Sequence, residues 1–180
     1  MAICAVGVWP EQARFASVED GSKCNRTMAI GGRTGEEGSP WGLRDERLRA
    51  VIICPSNPFI SIEPILAVTG MRQALSACAA PVVAVSPIIG GSAVKGPTAK
   101  MMGELGIKPN AAAVAKLYGD LLDGYVMDIG DAEEVANVAP RVTLAPTLMT
   151  NLAEREELAR IVLEAADALA SVKRGRDFVE

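Results

Sequence analysis

The sequence predicts an α/β fold of Rossmann-like type, with a mostly parallel sheet and helices on both faces. From residue 43 onward, short apolar segments alternate with segments of helical periodicity, which is the pattern of parallel strands joined by crossover helices. The strand segments lack a polar side, so both faces of the sheet are expected to be covered. Hydrophobic residues make up 49% of the 180 residues, which is enough to bury such a core.

Residues 1–42 differ from the rest of the chain. They hold seven glycines, both tryptophans and scattered charges, with no sustained period of 2 or 3.6 residues. The run Gly31-Gly32-Arg33-Thr34-Gly35 is similar to a phosphate-binding loop, but Glu36 and Glu37 follow it and their carboxylates repel phosphate. We therefore predict an irregular leader outside the fold, and a single α/β unit over residues 43–180.

Four apolar segments are predicted as strands: residues 50–54, 82–86, 124–128 and 141–145. Between and after them, cap residues and apolar stripes predict helices over 62–79 with a break at Thr69-Gly70, 98–105, 110–118, 132–137 and from Asn151 to the C-terminal region. Asn110 is the expected N-cap and Gly119 the expected C-cap of the third helix. In the last helix, Asn151 and Glu154 form a predicted capping box, and the apolar stripe includes Leu158, Ile161, Val162, Ala165 and Leu169.

The first predicted strand ends abruptly at Pro55-Ser56-Asn57-Pro58, and helical character resumes near Ser61. Ser61 is the expected N-cap, with Glu63 and Pro64 in the first turn. Backbone N–H groups at a helix start suit phosphate oxygens, so Ser56, Asn57 and Ser61 are predicted to bind substrate. The alternative, an ordinary loop in which Ser56 and Asn57 bond only to nearby backbone, stays open.

A second candidate loop follows the second strand and carries Ser86, Gly90, Gly91 and Lys95. The glycine pair allows close approach of backbone to a ligand, and Lys95 supplies a positive charge for a diphosphate. Since consecutive parallel strands present their carboxyl ends together, this loop is expected at the same edge of the sheet as Ser56. A solvated surface role for Lys95 is the alternative.

Composition excludes several classes of function. The chain has no histidine, which removes the usual general base and the commonest metal ligand. A net charge of −4 without a basic block argues against nucleic-acid binding. The apolar runs are shorter than the ~18 residues of a membrane span, and four cysteines without C-x-x-C spacing indicate reduced thiols in the cytoplasm. Capping and turn roles are preferred to metal binding for four aspartates, Asp120, Asp123, Asp128 and Asp131.

The run IICPSNPFISIEPILAV resembles the signature segment of the 2-phospho-L-lactate transferase (CofD) family of coenzyme F-420 biosynthesis. The similarity continues through PVVAVSPIIGGSAVKGPTAKMMGELG, LYGDLLDGYVMD and TLMTNLAEREELARIVLEAA. Family members are nearly twice as long as this chain, and the resemblance is to their C-terminal half. The resemblance therefore implies an incomplete domain.

By resemblance, the expected reaction moves a phospholactyl or phosphoenolpyruvyl group from a guanosine diphosphate-linked donor to the deazaflavin alcohol Fo, with the help of magnesium. The family's glycine loop and its expected magnesium ligands lie in the half that this chain lacks, so we expect little or no activity from the chain alone. A non-catalytic nucleotide-binding or regulatory remnant is the alternative, and an unstable gene fragment is a third. Catalytic residues are left unassigned, and self-association into a homo-oligomer stays open.

Overall fold

The computed structural model describes residues 2–6, 43, 48–94 and 96–176, with side chains for residues 43, 48–94 and 96–171. Its centre is a five-stranded sheet in the order β1-β2-β3-β6-β7, in which all neighbouring strands are parallel. A separate antiparallel pair, β4-β5, lies between β3 and β6 in the sequence. The strands are β1 (Ala2–Val6), β2 (Leu48–Ile53), β3 (Val82–Val85), β4 (Ile88–Ile89), β5 (Ser92–Ala93), β6 (Gly124–Asp128) and β7 (Arg141–Ala145).

Helices cover both faces of the sheet, as predicted. Both faces need cover because alternate residues of β2 are apolar and point to opposite sides of the sheet. Val51 and Ile53 belong to one core cluster, and Ala50 and Ile52 belong to the other. Within the described residues, the first cluster is closed by helices α1 to α4 and the second by α5. The helices are α1 (Glu63–Leu66), α2 (Met71–Ser76), α3 (Thr98–Glu104), α4 (Ala111–Tyr118) and α5 (Leu152–Arg176).

Local sequence signals set several of these boundaries. The predicted break in the first helix is present, with Gly70 in the left-handed region at φ 83° just before α2. The Asn110 side chain accepts from the N–H of Ala113 and caps α4, which ends at Gly119. Asn151 accepts from the N–H of Glu154 at the start of α5, but Glu154 reaches back to Thr150 rather than to Asn151. Among the helices of the described residues, none combines the length and hydrophobicity needed to cross a membrane.

The N-terminal prediction needs a correction at Ala2–Val6, which form edge strand β1 and not irregular chain. This strand pairs in parallel with β2, from Ile3 opposite Ala50 to Val6 opposite Ile53. The pairing follows from an apolar Ile-Cys-Ala-Val run meeting the outer edge of β2, whose backbone N–H and C=O groups need partners. Residues 7–42 lie outside the described part of the chain, so the leader prediction is not tested there.

Candidate functional site

The carboxyl ends of β2 and β3 lie side by side. Val51 pairs with Val82 and Ile53 with Ala84 in parallel register, so the chain leaves both strands at the same edge of the sheet. Ser56 and Ser86 therefore lie at one edge, as the sequence predicts. This is the edge at which open α/β sheets bind their ligands.

Asn57 organises the turn that follows β2. Its Oδ1 atom accepts from the N–H groups of Phe59 at 2.9 Å and Ile60 at 3.2 Å. Its main-chain oxygen accepts from the N–H groups of Ser61 at 3.0 Å and Ile62 at 3.1 Å. A wide helical turn over Pro58–Ile62 thus begins at Asn57 and leads directly into α1.

Two predictions about this turn are therefore wrong. Ser61 is not an N-cap, because it lies inside a turn that Asn57 has already capped. The N–H groups of residues 59 to 62 are not available to phosphate, because Asn57 accepts all four of them. An Asn side chain just before a helical turn reaches these donors without any ligand. Substrate contact by Ser61 remains only a prediction.

The donor side of the Asn57 amide has a weaker partner. Its Nδ2 atom donates to Sδ of Met101 on α3, with the two atoms 3.6 Å apart. A thioether sulfur is a weak acceptor compared with any oxygen. Neighbouring Ser56 is half-buried, and its N–H donates to the oxygen of Cys54 at 2.7 Å. The Asn57 amide is thus a polar group at this edge that is held in position on its acceptor side and weakly bonded on its donor side.

Ser86 fixes the exit of the chain from β3. Its hydroxyl donates to the oxygen of Ile88 at 3.0 Å and accepts from the N–H of the same residue at 3.1 Å. Its own N–H donates to the oxygen of Val126 in β6. Since Ser86 is only 2% exposed, the structure gives its hydroxyl a structural role. Binding of substrate by Ser86 stays a prediction.

Gly90 and Gly91 form the turn of the β4-β5 hairpin, an element that the sequence analysis did not predict. Both have left-handed backbones, with φ 57° and φ 73°, as a two-residue hairpin turn requires. The sequence signal for this hairpin is the Gly-Gly pair between Ile88-Ile89 and Ser92-Ala93. Both glycines are exposed at the candidate edge, while Lys95 lies outside the described residues.

Asp128 closes the neighbouring loops after β6 and β7. Its Oδ1 accepts from the N–H of Gly130 at 2.9 Å, and its Oδ2 accepts from the N–H and the hydroxyl of Thr147 at 2.9 and 3.0 Å. Burial raises the pKa of Asp128, but these hydrogen bonds from Thr147 and Gly130 outweigh it and hold the pKa below its usual value. The carboxylate is therefore ionised and committed to the fold.

Asp131 ties this region to the hairpin. Its Oδ1 accepts from the N–H of Gly90 at 2.9 Å, while the buried Oδ2 has no hydrogen-bond partner in the part of the chain that the structure describes. Burial raises the pKa of Asp131, the Gly90 N–H partly opposes this, and the charges of Glu134, Asp128 and Glu133 raise it further. The sequence predicts a turn role for Asp131 but not its hydrogen bond from the N–H of Gly90.

Magnesium, which the family resemblance implies, does not fit the part of the chain that the structure describes. Within those residues, no group of three acidic, histidine or cysteine side chains is placed to hold a metal ion. The two best-placed carboxylates, Asp128 and Asp131, instead accept from backbone N–H groups. The expectation that magnesium ligands lie outside this part of the protein stays a prediction.

Residues 46–164 match the 2-phospho-L-lactate transferase CofD family. The chain is 44% identical over 123 residues to a phosphoenolpyruvate transferase of Kitasatospora aureofaciens, covering 65% of this chain and 38% of that protein. It is 43% identical over 123 residues to a 2-phospho-L-lactate transferase of Methanosarcina mazei, covering 67% of this chain and 40% of that protein.

A third relative, the 2-phospho-L-lactate transferase of Methanocaldococcus jannaschii, is 37% identical over 119 residues, which cover 66% of this chain and 38% of that protein. The chain thus spans about two fifths of the length of the curated relatives it matches. The matched region contains β2, β3, β6 and β7 with the loops of the candidate site. The chain therefore belongs to the 2-phospho-L-lactate transferase (CofD) family.

Proposed function

We propose that the chain takes part in the transfer of a phospholactyl or phosphoenolpyruvyl group from a guanosine diphosphate-linked donor to the deazaflavin alcohol Fo, in coenzyme F-420 biosynthesis. Its relatives are named for these two transfers. Because the chain spans about two fifths of their length, we assign it one part of the site, the binding of the nucleotide's phosphates, with little or no turnover alone.

The Asn57 amide is the observation that carries this proposal. It lies at the carboxyl end of β2, its plane is fixed by two N–H donors, and its own donor faces only a thioether. A diphosphate oxygen is a much better acceptor than sulfur, because a donor bonded to an ionised group forms the stronger hydrogen bond. The exposed Gly90-Gly91 turn, which follows the neighbouring strand β3, lies at the same edge of the sheet, with the Gly90 N–H bonded to Asp131.

The proposed transfer explains why this part of the site is insufficient for turnover. The alcohol oxygen of Fo bonds to phosphorus and gives up its proton to solvent, while the bond from phosphorus to the bridging oxygen breaks, which leaves charge on the departing guanosine monophosphate. Each preorganised donor missing from such a transition state typically costs ~2.7 to 4 kcal/mol, or about a hundred- to a thousandfold in rate. Asn57 supplies one donor, so we expect binding without detectable transfer.

Calorimetric titration with guanosine diphosphate tests the binding, with an expected Kd no tighter than about 1 mM, or roughly −4 kcal/mol. The informative variant is Asn57→Asp, which keeps an oxygen for the N–H groups of Phe59 and Ile60 but replaces the donor with a negative charge. Binding should be lost while the fold is kept. The matched control is Asn151→Asp, the same change at the cap of α5, which should bind as the parent does.

An assay of guanosine monophosphate release from the donor in the presence of Fo tests the catalytic half. We expect no release above background. Robust turnover would show that the chain holds a complete site, and absence of nucleotide binding in the folded chain would overturn the proposal itself.

The cytoplasm is the proposed compartment, since Cys54 and Cys78 are present as buried thiols.

A nucleotide-binding remnant without any catalytic role is the second candidate. It is favoured by Asp128 and Asp131 at this edge of the sheet, whose carboxylates accept from backbone N–H groups and so serve the fold. Adding the remainder of a related transferase as a separate chain distinguishes the two candidates. Turnover restored by the mixture supports the transferase, whereas binding without turnover supports the remnant.

A further inference from the structure

We propose that Met101 is a movable cover on the Asn57 amide, whose thioether an oxygen of the bound phosphate ligand displaces. This inference rests on the proposed function and assigns a role in the site to a residue on α3. It makes Met101 a residue that tunes affinity by competing with the ligand for one donor.

The geometry of Asn57 fixes where the competition takes place. Two N–H groups, from Phe59 and Ile60, hold Oδ1 at 2.9 and 3.2 Å, which sets the plane of the whole amide. The direction of Nδ2 is then set as well, and it meets Sδ of Met101 at 3.6 Å. A ligand oxygen that accepts from the Nδ2 N–H pointing at Met101 has to occupy the position of the sulfur.

The backbone of α3 is anchored on both sides of Met101, so the side chain is the part that moves. Thr98 is 1% exposed and Met102 is fully buried, whereas Met101 is half-buried. The N–H of Ile107 also donates to the oxygen of Met102 at 2.8 Å. A methionine side chain has three rotatable bonds and a polarisable sulfur, which lets it leave one contact and pack elsewhere at low cost.

Competition predicts that two substitutions change the affinity for guanosine diphosphate in opposite directions. Met101→Ala removes both the cover and the competing acceptor, so binding should tighten about threefold to tenfold, as expected for one neutral hydrogen bond. Met101→Gln keeps the length of the side chain and offers an amide oxygen, a better acceptor than sulfur, so binding should weaken by roughly the same factor. Leu105→Ala, at the exposed end of α3, is the control and should not change the affinity.

A second readout follows the side chain itself in the unsubstituted protein. With ¹³C-labelled methionine methyl groups, guanosine diphosphate should shift the Met101 signal, identified by its loss in Met101→Ala. The signal of Met149, which packs on the core cluster of the opposite face, should stay in place. Circular dichroism of each variant establishes that it is folded before its affinity is compared.

The inference is supported if Met101→Ala tightens and Met101→Gln weakens binding while the Met101 methyl signal moves in the parent chain. Equal affinities of parent and variants overturn it and leave the proposed function standing. Tighter binding in both variants also overturns it, because crowding and not competition then limits access. If a variant fails to fold, a Met101 methyl signal that stays unmoved at saturation overturns the inference, and failure of the folded parent to bind overturns both proposals.

Discussion

The turn after β2 and the loop after β6 lie at the same edge of the sheet, and each is organised by one side chain, Asn57 or Asp128. These two side chains differ in how strongly they are hydrogen-bonded. Asn57 follows β2 and Asp128 is the last residue of β6, and each accepts from N–H groups a few residues later. Asp128 is also bonded by the N–H and the hydroxyl of Thr147, so both of its oxygens are occupied by strong donors. Asn57 differs because, among the described residues, its Nδ2 donates only to the sulfur of Met101.

This difference separates a residue that holds the fold from one that is also able to bind. Asp128 is 8% exposed and closes two loops, so a ligand would have to break bonds that the fold requires. Asn57 is half-buried and can exchange a weak partner for a stronger one while its capping bonds remain. Stability should therefore depend mainly on the Asp128 side, and ligand binding on the Asn57 side.

The largest expected effect on stability is that of Asp128→Ala. It removes the acceptor of three hydrogen bonds and leaves the buried donors of Thr147 unpaired, which should cost about 3 kcal/mol of unfolding free energy. Urea unfolding followed by circular dichroism measures this. Asp128→Asn keeps one oxygen and should lose less. A loss below about 1 kcal/mol in the alanine variant would contradict the structural role given to Asp128.

The next largest loss of unfolding free energy is expected for Gly90→Ala. The backbone at Gly90 has φ 57°, and an added Cβ meets nothing within 4 Å, so the cost is that of the left-handed backbone, about 1 to 2 kcal/mol. The control is Gly103→Ala within α3, where an added Cβ also meets nothing within 4 Å. There the same change should stabilise by roughly 0.5 to 1 kcal/mol. Equal effects at the two glycines would show that the hairpin turn is not as described.

Asn57→Ala should cost about 1 kcal/mol, the usual value of a helix cap, because Phe59 and Ile60 lose their acceptor. Asn57→Asp should leave the unfolding free energy within about 0.5 kcal/mol of the parent, since Asp caps as well as Asn. Comparing the two by urea unfolding separates capping from binding. If Asn57→Asp is as unstable as Asn57→Ala, its loss of nucleotide binding is no longer evidence for the donor.

The smallest effect should be a pH-dependent one at Asp131. Because the pKa of Asp131 is raised in the fold, this group's contribution to the free energy of unfolding is fully present below the unfolded pKa of about 3.9. The contribution is lost as pH rises through the folded pKa. Asp131→Asn keeps an oxygen for the Gly90 N–H without the charge. It should be slightly more stable than the parent at pH 7, and the difference should vanish near pH 4. A difference that is constant with pH would mean that charge is not its cause.

Asp128 should show the opposite dependence in the parent protein. Its pKa is lowered in the fold, so its stabilising contribution is full above the unfolded pKa of about 3.9 and is lost as pH falls through the lower folded value. Replacement by Ala should therefore reduce the acid sensitivity of unfolding below about pH 4, where Asp131→Asn changes nothing. Unfolding curves of the two variants between pH 2 and pH 7 check this sign.

The sequence predicts the elements whose signals are local. The bounds of β6 and β7 agree with the prediction, and Asn110 and Gly119 limit α4 as expected, because caps and apolar runs act within a few residues. The shared edge of Ser56 and Ser86 follows from parallel topology alone. These features need no knowledge of distant contacts.

What the sequence does not reveal depends on contacts between distant residues. Gly90 meets Asp131 across 41 positions, and Asn57 meets Met101 across 44, and no periodicity marks either pair. The sequence predicts Ser61 as a cap because it precedes Glu63 and Pro64. In the structure, Asn57 starts the turn four residues earlier. Strand β1 has a short apolar run, but its partner β2 begins only at Leu48, so no local signal marks this pairing.

The most direct test of this account is an amide NMR titration of the ¹⁵N-labelled chain with guanosine diphosphate. We expect the side-chain NH₂ of Asn57 to shift most, together with the backbone amide of Gly91. The amides of Gly130 and Thr147, which are bonded to Asp128, should stay in place. Shifts centred on Gly130 and Thr147, or an Asn57 signal unmoved at about 10 mM nucleotide, roughly ten times the tightest expected Kd, would contradict it.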